Sequence, residues 1–344
     1  MSKIETLDTK KLTTYLETNV AGFQGPITAE KFSGGQSNPT FKITASSGVY
    51  VLRRQPPGKL LKSAHAVDRE YRVLAALKES NVPVAKVYHL CEDPEVIGSM
   101  FYLMDFCAGT VYWNPALPEV ENNAIRTKMY DEMNRVMAAI HSVDLEKTGL
   151  SDYGKPGSYF GRQYSRWSSQ YQASEMQNNP GMNDLIKWLG NNMPADDGRV
   201  SLVHGDFRLD NLMFHADGPD VMAVLDWELS TLGHPFADLA YQCMHLRMPQ
   251  GLGTLDGLQG VDRASLGIPG EQEYISAYCQ RMGLEKIDHW EFYLAFSFFR
   301  LAAIAQGVAK RATQGNASST QAGKMGQYVE PLAKMALSII RDGA

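Results

Sequence analysis

Asp206, Asn211 and Asp226 are the residues whose types and spacing suit a definite chemistry. They stand in the segment 203–227, VHGDFRLDNLMFHADGPDVMAVLDW. A short apolar run at 200–203 delivers His204-Gly205-Asp206, Asn211 follows in the same loop, and a second apolar run at 221–225 ends at Asp226. Two carboxylates and a carboxamide are thereby gathered at the ends of what should be neighbouring strands. Phosphoryl transfer asks for this set: one carboxylate orients and deprotonates the attacking hydroxyl, and oxygen ligands hold magnesium against the phosphates. Asp206 is the expected base, and Asn211 and Asp226 the expected metal ligands. The bland alternative is a hairpin in which Asp and Asn only form turns.

The spacing from Asp206 to Asn211 equals that of the kinase catalytic loop, and the Asp at a following strand end matches the kinase metal-binding Asp. Such chemistry needs a nucleotide site ahead of it. Residues 39–45 and Gly48–Arg54 alternate as β-strands around a Ser-Ser-Gly turn, which predicts a hairpin. The loop Gly34-Gly35-Gln36-Ser37-Asn38 precedes the first strand, and its glycines allow backbone amides to approach phosphate oxygens. By itself a Gly-Gly pair is usually just a turn. On the second strand Val51 and Arg53 share a face, and Arg54 points the other way. The helix predicted over 65–77, with Val67, Tyr71, Leu74 and Leu77 as its apolar stripe, carries Glu70. A kinase holds the nucleotide phosphates with a strand cation paired to a helix Glu. Arg53 and Glu70 fit those places, although protein kinases use Lys where this chain has Arg. The competing reading is an exposed Arg and a solvated Glu.

A strand predicted over 100–106 runs into Met104-Asp105-Phe106-Cys107-Ala108-Gly109. This suits a hinge where the backbone of Met104, Asp105 and Cys107 holds adenine, with Gly109 as pivot; an ordinary buried strand ending in a turn reads the same way. Beyond it the pattern turns helical, with helices expected over 124–141, 159–177, 183–192, Glu271–Met282, 288–312 and 321–340. Residues 246–270 are Gly-rich and aperiodic, a loop able to line the acceptor site. Arg162 and Arg166 lie one turn apart among aromatics, an arrangement that binds phosphate or a flat ligand, or forms salt-bridged surface.

The chain has 344 residues, 38 acidic against 33 basic, and a formal net charge of −5. No basic run marks a nucleic-acid partner. No apolar stretch is clean enough to span a membrane, since the longest, 292–308, contains Arg300 and Gln306. The first residues lack a signal peptide's apolar core. Cys91, Cys107, Cys243 and Cys279 show no metal-ligand spacing and read as reduced thiols, so a cytoplasmic protein is expected.

Taken together, the sequence resembles the aminoglycoside phosphotransferase family over nearly its whole length. More narrowly it is similar to the kinase domain fused to certain acyl-CoA dehydrogenases, through VLRRQPPGKLL (51–61), AHAVDRE (64–70), RWSSQY (166–171) and FFRLAAIAQGV (298–308). The resemblance implies an α+β, protein-kinase-like two-lobe fold. Its β-rich nucleotide lobe would span 1–106 and its helical lobe 107–344, with the catalytic hairpin in the cleft. It implies ATP and Mg²⁺ as cofactors and a small-molecule hydroxyl acceptor, a hydroxy acid or hydroxyacyl-CoA. With no dehydrogenase segment following, a free-standing version is expected. Asp238, in the Gly233-His234-Pro235…Asp238-Leu239-Ala240 segment, would support the catalytic loop from behind, as would His204. The acceptor candidates are Arg162, Arg166, His245, Arg247 and Arg300, a set suited to an anionic substrate. The alternatives are an aminoglycoside- or choline-type kinase, or a nucleotide-binding pseudokinase.

Overall fold

The computed structural model describes residues 7–32, 38–56, 65–252, 255–313 and 322–343. By contacts the chain divides into two compact units. One comprises Met1–Val111, Glu146–Leu150 and Asn211–Ser230; the other comprises Tyr112–Leu145, Ser151–Asp210 and Thr231–Ala344.

The first unit is built on a five-stranded antiparallel sheet in the order β1-β2-β3-β5-β4. Its strands are β1 (Ile27–Lys31), β2 (Thr40–Ala45), β3 (Gly48–Arg54), β4 (Val87–Cys91) and β5 (Phe101–Asp105). The predicted hairpin is β2–β3, with Ala45 opposite Gly48 at its tight end. Alternation decides its faces. Phe41 and Ile43 turn inward onto Leu12 and Leu16 of helix α1 (Thr9–Asn19), joined there by Leu52, Phe101 and Leu103. Helix α2 (Val67–Leu77) packs against β4 and β5 through Val73, Leu74 and Leu77. It begins two residues later than its periodicity suggests because His65 has φ +61°, outside the helical region.

A three-stranded sheet completes this unit, in the order β6 (Thr110–Val111), β8 (Leu212–Phe214), β9 (Val221–Val224). Because Thr110 and Val111 pair with Phe214 and Met213, residues past the expected boundary at 106 join the first unit, and so does the distant segment 211–230. Gly109 permits the approach. A Cβ there would stand 2.5 Å from the Phe214 carbonyl oxygen and 2.5 Å from Met213 Cγ.

The second unit is helical: α3 (Asn123–His141), α4 (Tyr159–Ser174), α5 (Pro180–Asn191), α6 (Phe236–Arg247), α7 (Glu271–Met282), α8 (Trp290–Thr313) and α9 (Val329–Asp342). A short antiparallel pair, β7 (Ser201–Val203) with β10 (Thr231–Gly233), sets Val203 opposite Thr231. That pairing brings the start of α6 to the loop after Val203. Helix α8 is long and apolar enough to cross a membrane by composition, yet 78% of that window is buried inside the fold. Helix α6 is likewise buried along its whole length from Phe236 to Leu246.

Candidate active site

In the first unit the site is organised around Arg53. Its guanidinium Nη2 donates to Asp226 Oδ1 at 2.6 Å, its Nε lies 2.9 Å from Glu70 Oε2, and Glu228 Oε2 is 3.7 Å away. The Glu70 contact is charge against charge: among the described residues neither Arg53 Nε nor Glu70 Oε2 has a hydrogen bond. Glu70 is fully buried. Burial pushes its carboxyl up to about 7, helped by Asp226 and Glu228 and opposed by Arg53. For Arg53 burial works against the charge, but Glu70, Tyr102, Asp226 and Glu228 outweigh it and hold the guanidinium firmly protonated. Three acidic side chains thus gather on one guanidinium.

Asp226 follows β9 with φ +60° and ψ 62°, a left-handed conformation that costs a non-glycine residue roughly 1–3 kcal/mol. Pairing of β8 with β9 and a 2.8 Å bond from Leu225 N–H to the Asn211 carbonyl fix this turn. The two expected metal ligands thus sit at adjacent strand ends, as their sequence positions imply.

Asn38 is buried, and its Nδ2 donates to Glu228 Oε2 at 3.4 Å. Its Oδ1 is 3.1 Å from His65 Nδ1, and the His65 carbonyl accepts from Gln55 Nε2 at 3.0 Å. Glu228 therefore links the residue that follows the glycine loop to Arg53. The sequence reading omits Glu228; its place two residues after Asp226 is the signal that could find it. Gly34, Gly35, Gln36 and Ser37 lie outside the described residues.

At the expected hinge, Met104 pairs with Val51 on one side and Val87 on the other. Asp105 N–H donates to the Lys86 carbonyl at 2.8 Å, and its carboxylate accepts from the Tyr88 hydroxyl. Cys107 lies two residues past the end of β5, half-buried, with burial and then Asp105 raising its thiol pKa.

The second unit holds Asp206. The Asp238 carboxylate, buried at the start of α6, accepts from His204 N–H at 2.6 Å and from Gly205 N–H at 2.8 Å. His141 Nε2 lies 3.2 Å from the same carboxylate, and His141 Nδ1 is 2.7 Å from the Tyr278 hydroxyl. The backbone ahead of Asp206 is thus clamped from behind. His204, fully buried, accepts the Asp206 N–H through Nδ1 at 3.3 Å. Gly205 takes φ +83°, which suits glycine.

Burial raises the Asp238 pKa, but His141, His204 and the Gly205 amide outweigh it, and the net shift is downward. Its stabilisation is therefore complete above the unfolded carboxylate range near ~4 and is lost as pH falls through its lower native value. Asp238→Ala, which strands two amides and His141, should lower unfolding free energy by about 3–5 kcal/mol in urea at pH 7. The deficit should shrink in acid; a constant deficit down to full acid unfolding would contradict this.

The acceptor candidates divide. Arg162 donates to the Pro156 and Lys155 carbonyls, at 3.2 and 2.6 Å, and so braces its own loop. Arg247 grips Glu271 with two bonds of 2.6 and 2.7 Å. His245 is buried and neutral, since burial, with Arg208 adding, lowers its pKa to about 3. Arg166 and Arg300 instead share one ring: their guanidinium carbons lie 5.2 and 5.9 Å from the Trp167 centroid. Arg300 also donates to the Gly205 carbonyl at 2.7 Å, so this pair of cations adjoins the catalytic loop. Two residues absent from the sequence reading belong here as well. Arg208 forms an ion pair with Asp210, and Tyr241 on α6 lies under the Arg300 guanidinium, 5.3 Å from its ring centroid.

The family model described as "Phosphotransferase enzyme family" (APH) matches residues 28–274. Acyl-CoA dehydrogenase family member 10 of Mus musculus is 49% identical over 312 residues, 91% of this chain and 29% of that protein. The chain spans less than half the length of the curated relatives it matches. Among solved structures, a Ralstonia eutropha protein provisionally named an aminoglycoside phosphotransferase is 48% identical with a TM-score of 0.90, covering 98% of this chain and 99% of that one. A choline kinase from Cryptosporidium parvum shares the fold at 12% identity, TM-score 0.64, over 98% of this chain and 97% of its own. The elements and these likenesses agree on a protein-kinase-like α+β fold, and the chain belongs to the APH phosphotransferase family.

Proposed function

We propose that this chain is an ATP-dependent kinase that phosphorylates a hydroxyl group of a small anionic acceptor, a hydroxy acid or its CoA ester. The observation that carries the kinase reading is Arg53, which joins Glu70 to Asp226 in one ionic cluster. A structural surface pair would have no reason to engage the left-handed Asp226.

In this reading Asp206 accepts the proton of the acceptor hydroxyl as that oxygen attacks the γ-phosphorus. Asn211 and Asp226 would hold Mg²⁺, which when bound neutralises the phosphate charge. Arg53 then turns from Asp226 toward the nucleotide phosphates and remains anchored by Glu70. Asp238 and Arg300 keep the backbone of the base in place from two directions.

The acceptor class rests on Arg166 and Arg300. Two guanidinium groups on one Trp ring beside the catalytic loop repel a polycation and attract a carboxylate or phosphate. This disfavours an aminoglycoside or choline as substrate. The pseudokinase alternative is opposed by the presence of Asp206, Asn211 and Asp226 together. The test is ADP release from Mg-ATP, screened over hydroxy acids, their CoA esters, choline and an aminoglycoside. Stimulation by the hydroxy acids or esters alone supports the reading. Stimulation by the cations alone, or by nothing, overturns it.

A further inference from the structure

His65 has no assigned part in the reaction, yet the ionic cluster of the first unit closes through it. It stands two residues ahead of α2 with φ +61°, a conformation in which His, Asn and Asp are enriched among non-glycine residues. Its backbone is tied to the end of β3, because the His65 carbonyl accepts from Gln55 Nε2 at 3.0 Å. Its ring reaches Asn38, with Nδ1 3.1 Å from Asn38 Oδ1. Asn38 in turn donates from Nδ2 to Glu228 Oε2 at 3.4 Å, and the same oxygen is 3.7 Å from Arg53 Nη2. Arg53 lies on β3, two residues before Gln55, so these contacts form a closed circuit.

The circuit fixes where the protons sit. A carboxylate beside a guanidinium only accepts, so the Asn38 amide turns its NH2 to Glu228 and its oxygen to His65. That oxygen also only accepts. His65 Nδ1 must therefore carry a proton, which leaves Nε2 as the lone-pair nitrogen of the neutral ring. Asn38 is 1% exposed, so bulk water does not stand in for either partner. Were the carboxamide to turn over, its oxygen would face the Glu228 carboxylate and repel it. Glu228 would lose its neutral donor and move onto Arg53, a guanidinium already shared by Glu70 and Asp226. Less of that charge would remain for nucleotide phosphates.

We propose that His65 is a positioning residue of the nucleotide site: as an Nδ1–H donor it sets the Asn38 amide, which holds Glu228 back from Arg53. The proposal rests on the reading of Arg53 as the cation that receives the nucleotide phosphates. It joins the residue after the glycine loop, the lead-in to α2 and the Arg53 cluster in one chain, His65–Asn38–Glu228–Arg53.

The test is calorimetric binding of Mg-ATP to the full chain, which needs no acceptor. Asn, Asp and Gly all accept the φ of position 65, +61°, without new strain. His65→Asn puts an N–H donor where Nδ1 stands, His65→Asp puts an acceptor there, and His65→Gly puts nothing. His65→Asn should bind Mg-ATP as the wild type does. His65→Asp and His65→Gly should bind about tenfold more weakly, the scale on which one hydrogen bond to a charged group counts. The Gly variant shows the loss without an added charge, and the Asp variant shows it without added backbone freedom. Wild-type affinity in both, or equal loss in all three, overturns the proposal and leaves the kinase reading standing. No binding by the wild type would instead remove the nucleotide reading, and the proposal with it.

A second measurement needs no nucleotide. In isotope-labelled protein, long-range nitrogen–proton couplings of the imidazole ring report the tautomer of His65 in alkaline buffer, its signals assigned by their loss in His65→Asn. The Nδ1–H form is expected, against the Nε2–H form that a free histidine favours in water. An Nε2–H ring in the wild type overturns the proposal whether or not the variants fold.

Discussion

Asp206→Asn should fold, bind Mg-ATP with near wild-type affinity, and lose roughly 10²–10⁴-fold in kcat, the usual contribution of a general base. Folding is expected because the loop's backbone is held by other side chains. Its backbone is fixed by Asp238 through the His204 and Gly205 amides and by Arg300 through the Gly205 carbonyl. The substituted amide keeps the shape of the side chain but cannot take up a proton from the attacking hydroxyl. Equilibrium binding of nucleotide, measured beside ADP release with an acceptor from the substrate screen, separates the two effects. Near-normal turnover would remove Asp206 from the mechanism. Loss of nucleotide binding together with turnover would mean a structural role instead.

The Arg53–Glu70 pair is expected to show the other large effect, and it separates kinase from pseudokinase. Arg53→Ala should weaken Mg-ATP binding about tenfold or more, ~1.4 kcal/mol for each factor of ten, and lower turnover with it. The direct cost to folding should be modest for a buried ion pair. Glu70, already pushed up to about 7 by burial, can take up a proton once its cation is gone. Glu70→Ala should weaken Mg-ATP binding by a different route. Freed from its anchor, Arg53 keeps Asp226 and Glu228 as partners and competes with the metal for Asp226. Because both variants disturb one cluster, the double variant should fall short of additivity by roughly 0.5–3 kcal/mol. Arg53→Lys keeps the charge but cannot face Glu70 and Asp226 with separate nitrogens of one planar group, so partial activity is expected. Wild-type ATP affinity and rate in all three single variants would leave Arg53 a purely structural residue. Arg54 is no substitute: it is buried, bonds the Ile97 carbonyl and lies over the Phe41 ring.

Much of the site was legible in the chain because its signals are local. The interval from Asp206 to Asn211 lies within one loop, and the apolar run before Asp226 is a strand whose end fixes where that carboxylate emerges. The β2–β3 hairpin follows from alternation around the two-residue turn Ser46-Ser47. Arg53 and Glu70 were found as a pair because each lies on a regular element, so strand and helix periodicity alone say which way they face. Helix α7 was readable for the same reason, down to its ends at Glu271 and Met282.

What escaped the sequence depended on contacts between distant residues. Helix α6 carries no polar face, since the protein buries it on every side, and a helix without a wet face has no period to read. Tyr241 and the start of α6 at Asp238 were therefore not placed on one helix. The fate of each arginine was equally hidden. Arg247 and Glu271 are 24 residues apart in sequence and meet only when α6 and α7 pack. Arg300 reaches Gly205 across 95 residues, which no spacing rule anticipates. The limits of the first unit were set by β6 pairing with β8, a bond between strands a hundred residues apart. The sequence by itself determined which residues could do phosphoryl-transfer chemistry, because those residue types recur at intervals set by local strand and loop geometry. Only the tertiary structure decided which charges meet, since a long arginine has many partners within reach and the packing of its helix selects one.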